Sequence, residues 1–239
     1  MKCLNEGVKN EYAFAKILDH HKYSQLTEKY QELLTTLYGK IEANQSIECW
    51  VSQYNEKSDI KIRINGIIKG ISVKMGHHNS VHFEHIDDFT TFMKRICITE
   101  RAIEKFAHFV NWSKKNKNVK SYYYKKEFTN NWKIINEAFS DYYIQMQLFS
   151  KLLFQGSTQF KYSAHALISG TPNQFIWATR NEIMKILLKT KNDSNATIKI
   201  GLLTLQVVER NSKTFVEIKW HTLEKILKSI EKSRNLTKM

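Results

Sequence analysis

The sequence predicts an α/β chain, an α+β arrangement in which helical and extended segments alternate. Two patterns carry that expectation. Apolar residues recur at helical spacing over 6–20, over 24–43 and in the closing stretch HTLEKILKSIEKS, but at alternate positions over 47–54, 58–75 and 196–220. Asn65-Gly66 then stands between two alternating runs in SDIKIRINGIIKGISVKM, the dipeptide that favours a two-residue hairpin turn. With 239 residues, 42% of them hydrophobic and 12% aromatic, the chain can bury a sizeable core.

The elements follow in order. Val8, Tyr12, Ala15 and Leu18 mark a first helix, widened by Phe14 and Ile17. Leu26, Tyr30, Leu33, Leu34 and Leu37 mark a second. IECWVSQY reads as a strand leading to the hairpin. Ser80 is a candidate N-cap for a helix running to about Arg95, with Phe83, Ile86, Phe89 and Met93 at helical spacing. Helices are expected over 100–115, 130–154 and 179–190, and GSTQF and SGTPNQF are turn-rich. Residues 196–220 read as two strands joined by a polar turn at 209–213. The one soft boundary, near Gly156, suggests a division into 1–155 and 156–239.

Composition narrows the function. The net charge of +14 is uneven: residues 1–60 carry 7 Lys+Arg against 9 Asp+Glu, and residues 61–239 carry 30 against 14. Such a bias suits a polyanionic partner, most simply nucleic acid. There is no apolar run of about 18 residues, the length a membrane span needs. MKCLNEGVKNEYAF lacks the apolar core of a signal peptide. Cys3, Cys49 and Cys97 are odd in number with no CxxC, which points to a reducing, cytoplasmic setting.

Taken literally, the two-residue turn pairs Ile64 with Ile67, so paired positions sum to 131 and Asp59 falls opposite Ser72. Lys74 shares that face, because side chains alternate along a strand. The other face carries Ile60, Ile62, Ile64, Ile67, Ile71 and Val73, a surface fit for a core. An acid, a hydroxyl and an amine are thus offered together. A carboxylate there can hold Mg²⁺, which prefers oxygen ligands, and a lysine can orient the water beside it. Plain polar alternation on an exposed sheet face gives the same pattern.

Asp59, the hairpin and Ser72-Val73-Lys74 resemble the core of the PD-(D/E)xK nucleases, over roughly residues 5–100. Ser58 stands at the nominal proline, and Ser72 at the second acid. Some type II restriction enzymes in that family have Ser-x-Lys and draw the acid from the following helix. The resemblance implies a mixed sheet flanked by helices and Mg²⁺-dependent hydrolysis of DNA. It assigns Asp59 and Glu84 to the metal, Lys74 to the attacking water and Ser72 to support of the site. Glu11 resembles the family's N-terminal helix glutamate. Glu84 is ten residues after Lys74; Asp87 and Asp88, the latter fourteen after it, are the alternatives. Double-stranded DNA, a homodimer and a cognate DNA methyltransferase are the implied partners.

Other signals compete. Glu217 and Lys219 form a second E-x-K, preceded by Glu209. His77, His78, His82 and His85 have spacings that allow zinc on one helix face, with no partner cysteine. KKNKNVKSYYYKK sets Lys120, Lys125 and Lys126 around Tyr122, a mix that contacts phosphates and stacks on bases. Asn173, Gln174 and Arg180 have side chains that read base edges. A catalytically inactive DNA-binding protein of the same fold, and an RNA-binding or RNA-processing protein, are the other functional readings.

Overall fold

The computed structural model describes residues 5–53, 56–75, 80–115, 121–156, 163–190 and 197–237. Two compact units emerge, both discontinuous in sequence. The first comprises Met1–His78, Phe154–Ile183 and Leu223–Met239; the second comprises Asn79–Leu153 and Met184–Thr222. This differs from a division at 155. Residues on both sides of Gly156 build the same sheet, because strand pairing joins 67–74 to 164–171. No helix among the described residues is long and apolar enough to cross a membrane.

The first unit contains helices α1 (Glu6–Leu18) and α2 (Glu28–Tyr38) and strands β1 (Glu48–Val51), β2 (Ile60–Ile64) and β3 (Ile67–Lys74). After the second unit's first segment the chain returns with β5 (Ala164–Thr171) and β6 (Gln174–Thr179). The sheet order is β1-β2-β3-β5-β6. β1, β2 and β3 pair antiparallel, and β3 pairs parallel with β5. This is the expected mixed sheet with helices.

The hairpin forms at the expected register, with Ile60 opposite Ile71 and Ile64 opposite Ile67. Asn65 and Gly66 have φ of 51° and 77°. Both central residues are left-handed, which gives the turn the twist of the strands it joins. Phe14, Leu18, Leu33 and Leu34 of the helices pack with Ile60, Ile62, Ile64, Ile71, Ile168 and Trp177 of the sheet, all essentially buried. Ile67, beside the turn, is 55% exposed instead. Helix α8 (Leu223–Thr237) joins this unit, tied by Arg234, whose Nε donates to Glu182 Oε1 at 2.9 Å and whose Nη2 donates to the Trp177 carbonyl at 2.9 Å.

The second unit is built on an antiparallel sheet of β4 (Ser80–His85), β9 (Lys213–Lys219), β8 (Leu203–Arg210) and β7 (Lys199–Ile200), in that order. Helices α3 (Ile86–Arg95), α4 (Glu100–Lys115), α5 (Ser121–Ala138) and α6 (Tyr142–Phe149) belong to it, followed by a π-helical segment, Ser150–Gln155. α7 (Arg180–Leu187) runs from the first unit into the second.

Two expectations change here. Residues 80–85 are a strand, not the first turns of a helix, because β4 finds its partner in β9. Helix α3 begins at Ile86, where the His85 ring accepts the Asp87 N–H. The helix expected over 130–154 is broken at Asp141, which caps α6 by accepting the Ile144 N–H at 3.0 Å.

Candidate active site

Asp59 occupies the entry to β2 with its backbone in the ladder. Its N–H donates to the Ile71 carbonyl at 2.8 Å, and its carbonyl accepts from Ser52 N–H at 2.9 Å. That pairing fixes the side chain beside β3. Oδ2 accepts from Ser72 Oγ at 2.9 Å, from Val73 N–H at 2.6 Å and from Lys74 Nζ at 3.3 Å. Ser72 is 1% exposed. Lys74 and Asp59 remain about one-fifth exposed at their side chains, so the pair meets solvent.

Gly70 makes this approach possible. A Cβ there would lie 2.5 Å from Ser58 Cβ and 2.7 Å from the Ser163 carbonyl oxygen. A bare backbone at Gly70 is what lets the chain before Asp59 close over β3.

Glu11 projects from α1 within the field of the same group. Burial first, and then the Asp59 carboxylate, push its pKa up to about 7, while Lys74 pulls it down. A carboxylate whose pKa a neighbouring carboxylate raises forms with it a donor pair that a small divalent cation relieves. Mg²⁺ takes one or two carboxylates and completes its shell with water and phosphate oxygens. Asp59 and Glu11 fit that requirement. Among the described residues no three His, Cys, Asp or Glu side chains cluster as a ready-made cage.

Glu84 has other commitments. It lies on β4, with its side chain 1% exposed, and its carboxylate oxygens meet His82 Nε2 at 3.1 Å and Lys151 Nζ at 2.7 Å. Burial alone would raise its pKa; the hydrogen bond and charge of His82, with those of Lys151, hold it below the usual carboxylate value. Lys151 in turn sits 4.8 Å over the Phe92 ring. Glu84 is an enclosed carboxylate of the second unit, held by its ion pair with Lys151. Asp87 and Asp88 are exposed in the first turn of α3.

The remaining sequence candidates separate. Asn173 is exposed in the β5–β6 turn and Gln174 is exposed at the start of β6. Arg180 opens α7 with its guanidinium 5.6 Å over Phe154. Tyr122, Lys125 and Lys126 lie on α5, which starts at Ser121, so their segment is helix rather than loop. Lys120 lies outside the described residues, as do His77 and His78. His82 and His85, three residues apart on a strand, point to opposite faces, which separates them as metal ligands.

Glu217 and Lys219 do share a face of β9, at 3.6 Å. Glu209 lies three residues from Gln206, the partner of Glu217, and so faces the other way. His165, absent from the sequence candidates, is brought beside the hairpin by β5: its Nδ1 accepts the Gly70 N–H at 3.2 Å. Only the parallel pairing of distant strands reveals it.

The chain has the restriction-endonuclease fold. A solved structure similar to it is that of the restriction endonuclease MspI in complex with its cognate DNA, at a TM-score of 0.52 and 10% sequence identity, covering 84% of this chain and 86% of that one. No family model matches the sequence, and no curated protein matches it.

Proposed function

We propose that this protein is a Mg²⁺-dependent, sequence-specific DNA endonuclease of the type II restriction class, with its active centre at Asp59, Ser72, Lys74 and Glu11. The observation that carries this reading is the convergence of Ser72, Val73 N–H and Lys74 on one oxygen of Asp59, beside Glu11, in a restriction-endonuclease fold. The net charge of +14 suits a DNA partner.

Asp59 and Glu11 hold the metal in this reading, and Glu84 does not. Bound Mg²⁺ supplies a lowered pKa for water and neutralises charge on the phosphoryl oxygens. Ser72 and the Val73 amide hold the Asp59 carboxylate aimed into the site. Lys74 directs the attacking water through its ammonium protons. The water oxygen bonds to phosphorus, the bond to the 3′ oxygen breaks, and the products are a 3′ hydroxyl and a 5′ phosphate. A two-fold dimer is the arrangement that cuts both strands of a palindrome, and a methyltransferase of the same specificity is the accompanying protection.

One observation favours a second reading. Ser72 occupies the position of an acid in the resembled core, which fits a DNA-binding protein of the same fold that does not cleave. The test incubates the protein with unmethylated phage and plasmid DNA, in Mg²⁺ or EDTA, beside Asp59→Ala and Lys74→Ala. Discrete Mg²⁺-dependent fragments, absent with both variants, are expected. Binding without cleavage by the folded wild type selects the second reading, and cleavage surviving both substitutions overturns the site.

A further inference from the structure

A cleft of about 390 Å³ opens on the hairpin face that carries Asp59. Trp50 and Ile68 form its apolar walls, Gly70 its floor, and Ser58, Ser163 and His165 its polar lining. Lys61 borders it too, two residues along β2 from Asp59, just as Gly70 lies two residues along β3 from Ser72. Two strand residues span about 7 Å, so the cleft begins one pleat repeat from the candidate active centre.

Its chemistry selects the occupant. Two cations on this face of β2 carry counter-ions: Lys61 Nζ meets Glu56 Oε2 at 2.6 Å, and Arg63 Nη1 meets Glu48 Oε2 at 2.8 Å. A phosphate therefore finds no unmatched positive charge in these two side chains. His165 accepts the Gly70 N–H through Nδ1, and burial, followed by the Lys69 charge, lowers the pKa of the ring. What remains is an aromatic-walled recess with hydroxyl, imidazole and carbonyl groups at its edge, with Lys69 and Arg180 near enough to act on the imidazole. The volume is at the small end of ligand pockets, suited to one planar ring system with a hydrogen-bonding rim. Arg63 lies 5.2 Å over the Trp50 ring, which holds the indole in place.

We propose that this cleft receives one unpaired nucleobase of a bound DNA strand, beside the phosphate engaged at Asp59. The inference rests on the DNA-cleavage reading and adds to it a site for an extrahelical base. A base leaves the stack at an energetic cost, which is smallest when it is already unpaired.

The experiment measures binding in EDTA, so cleavage does not enter. Two duplexes of one sequence are compared, one fully paired and one with a single bulged 2-aminopurine. Affinity is read by anisotropy, and stacking by quenching of the 2-aminopurine. Wild type is expected to bind the bulged duplex about tenfold more tightly, with quenched fluorescence, the scale of one base stacked on an aromatic side chain. Trp50→Leu removes the wall, and Ile68→Trp plugs the recess from a position 45% exposed, where the fold tolerates the change. Both are expected to lose the preference and the quenching while binding the paired duplex as wild type does, which also reports that they fold. Equal affinity of wild type for the two duplexes, or a preference that persists in either variant, overturns the proposal and leaves the cleavage reading standing. Failure of wild type to bind any duplex overturns the cleavage reading itself.

Discussion

Glu11→Gln should stabilise the metal-free protein at pH 8 while abolishing cleavage. The rise from 4.5 to about 7 measures how poorly the folded state accommodates the ionised carboxylate. At about 1.36 kcal/mol per pH unit this would be about 3.4 kcal/mol for a fully enclosed group. Glu11 is only half buried, so solvent screening reduces the effect to about 1–2 kcal/mol. Its folded pKa lies above its unfolded one. Stability from this residue is therefore fully present below about pH 4.5 and is lost as pH rises through about 7. Glutamine has the same shape and never ionises. Urea denaturation of wild type and variant in EDTA at pH 5 and pH 8 reads the difference directly. The variant should match wild type within about 0.5 kcal/mol at pH 5 and exceed it by about 1–2 kcal/mol at pH 8. Mg²⁺ should narrow the gap at pH 8 by stabilising wild type alone. A variant no more stable than wild type at pH 8 would refute the argument that Asp59 and burial strain Glu11.

Lys151→Met leaves Glu84 buried without its ammonium partner and should cost about 3–5 kcal/mol at pH 7, with Glu84→Gln/Lys151→Met recovering most of it in the same denaturation assay. Gly70→Ala forces a methyl into Ser58 and the Ser163 carbonyl; a loss of about 1–3 kcal/mol, with weakened cleavage, is expected from melting and activity measurements. Gly66→Ala meets nothing within 4 Å but must adopt a φ near +77°, so it should cost about 1 kcal/mol and leave cleavage unchanged.

The hairpin was legible because its information is local. Asn65-Gly66 sets the register, and the register alone brings Asp59 to Ser72. α1, α2, β8, β9 and α8 were legible for a similar reason, each having one periodic apolar face. Residues 80–85 were not. Phe83, Ile86, Phe89 and Met93 continue a helical stripe, and the strand's partner lies more than 130 residues further on. The same misreading put Glu84 on a helix turn, when it faces His82 and Lys151 from a strand. Glu11 was visible only as a resemblance, since what distinguishes it is the field of two residues about 50 and 60 positions away. The cleft escaped notice altogether: Trp50, Ile68 and His165 come from three strands, one reached by a parallel pairing.

That parallel pairing has a kinetic consequence. Gly70 meets Ala164 only after the whole of residues 71–163 has been made, and the first segment of the second unit lies inside that crossover. At about 5–20 residues per second, β3 waits roughly 5–20 s on the ribosome as an unpaired sheet edge. Such an edge invites pairing with other chains. β3 carries Lys69 just before its β5-pairing segment, Gly70 at the start and Lys74 at the end, residues that discourage stray strand addition while β5 is still being synthesised. The insert cannot complete its own sheet in that interval, because the partner of β4, β9, is synthesised later still. The hairpin bearing Asp59 and Lys74 can thus form early, and the strand that covers its flank arrives about 90 residues later.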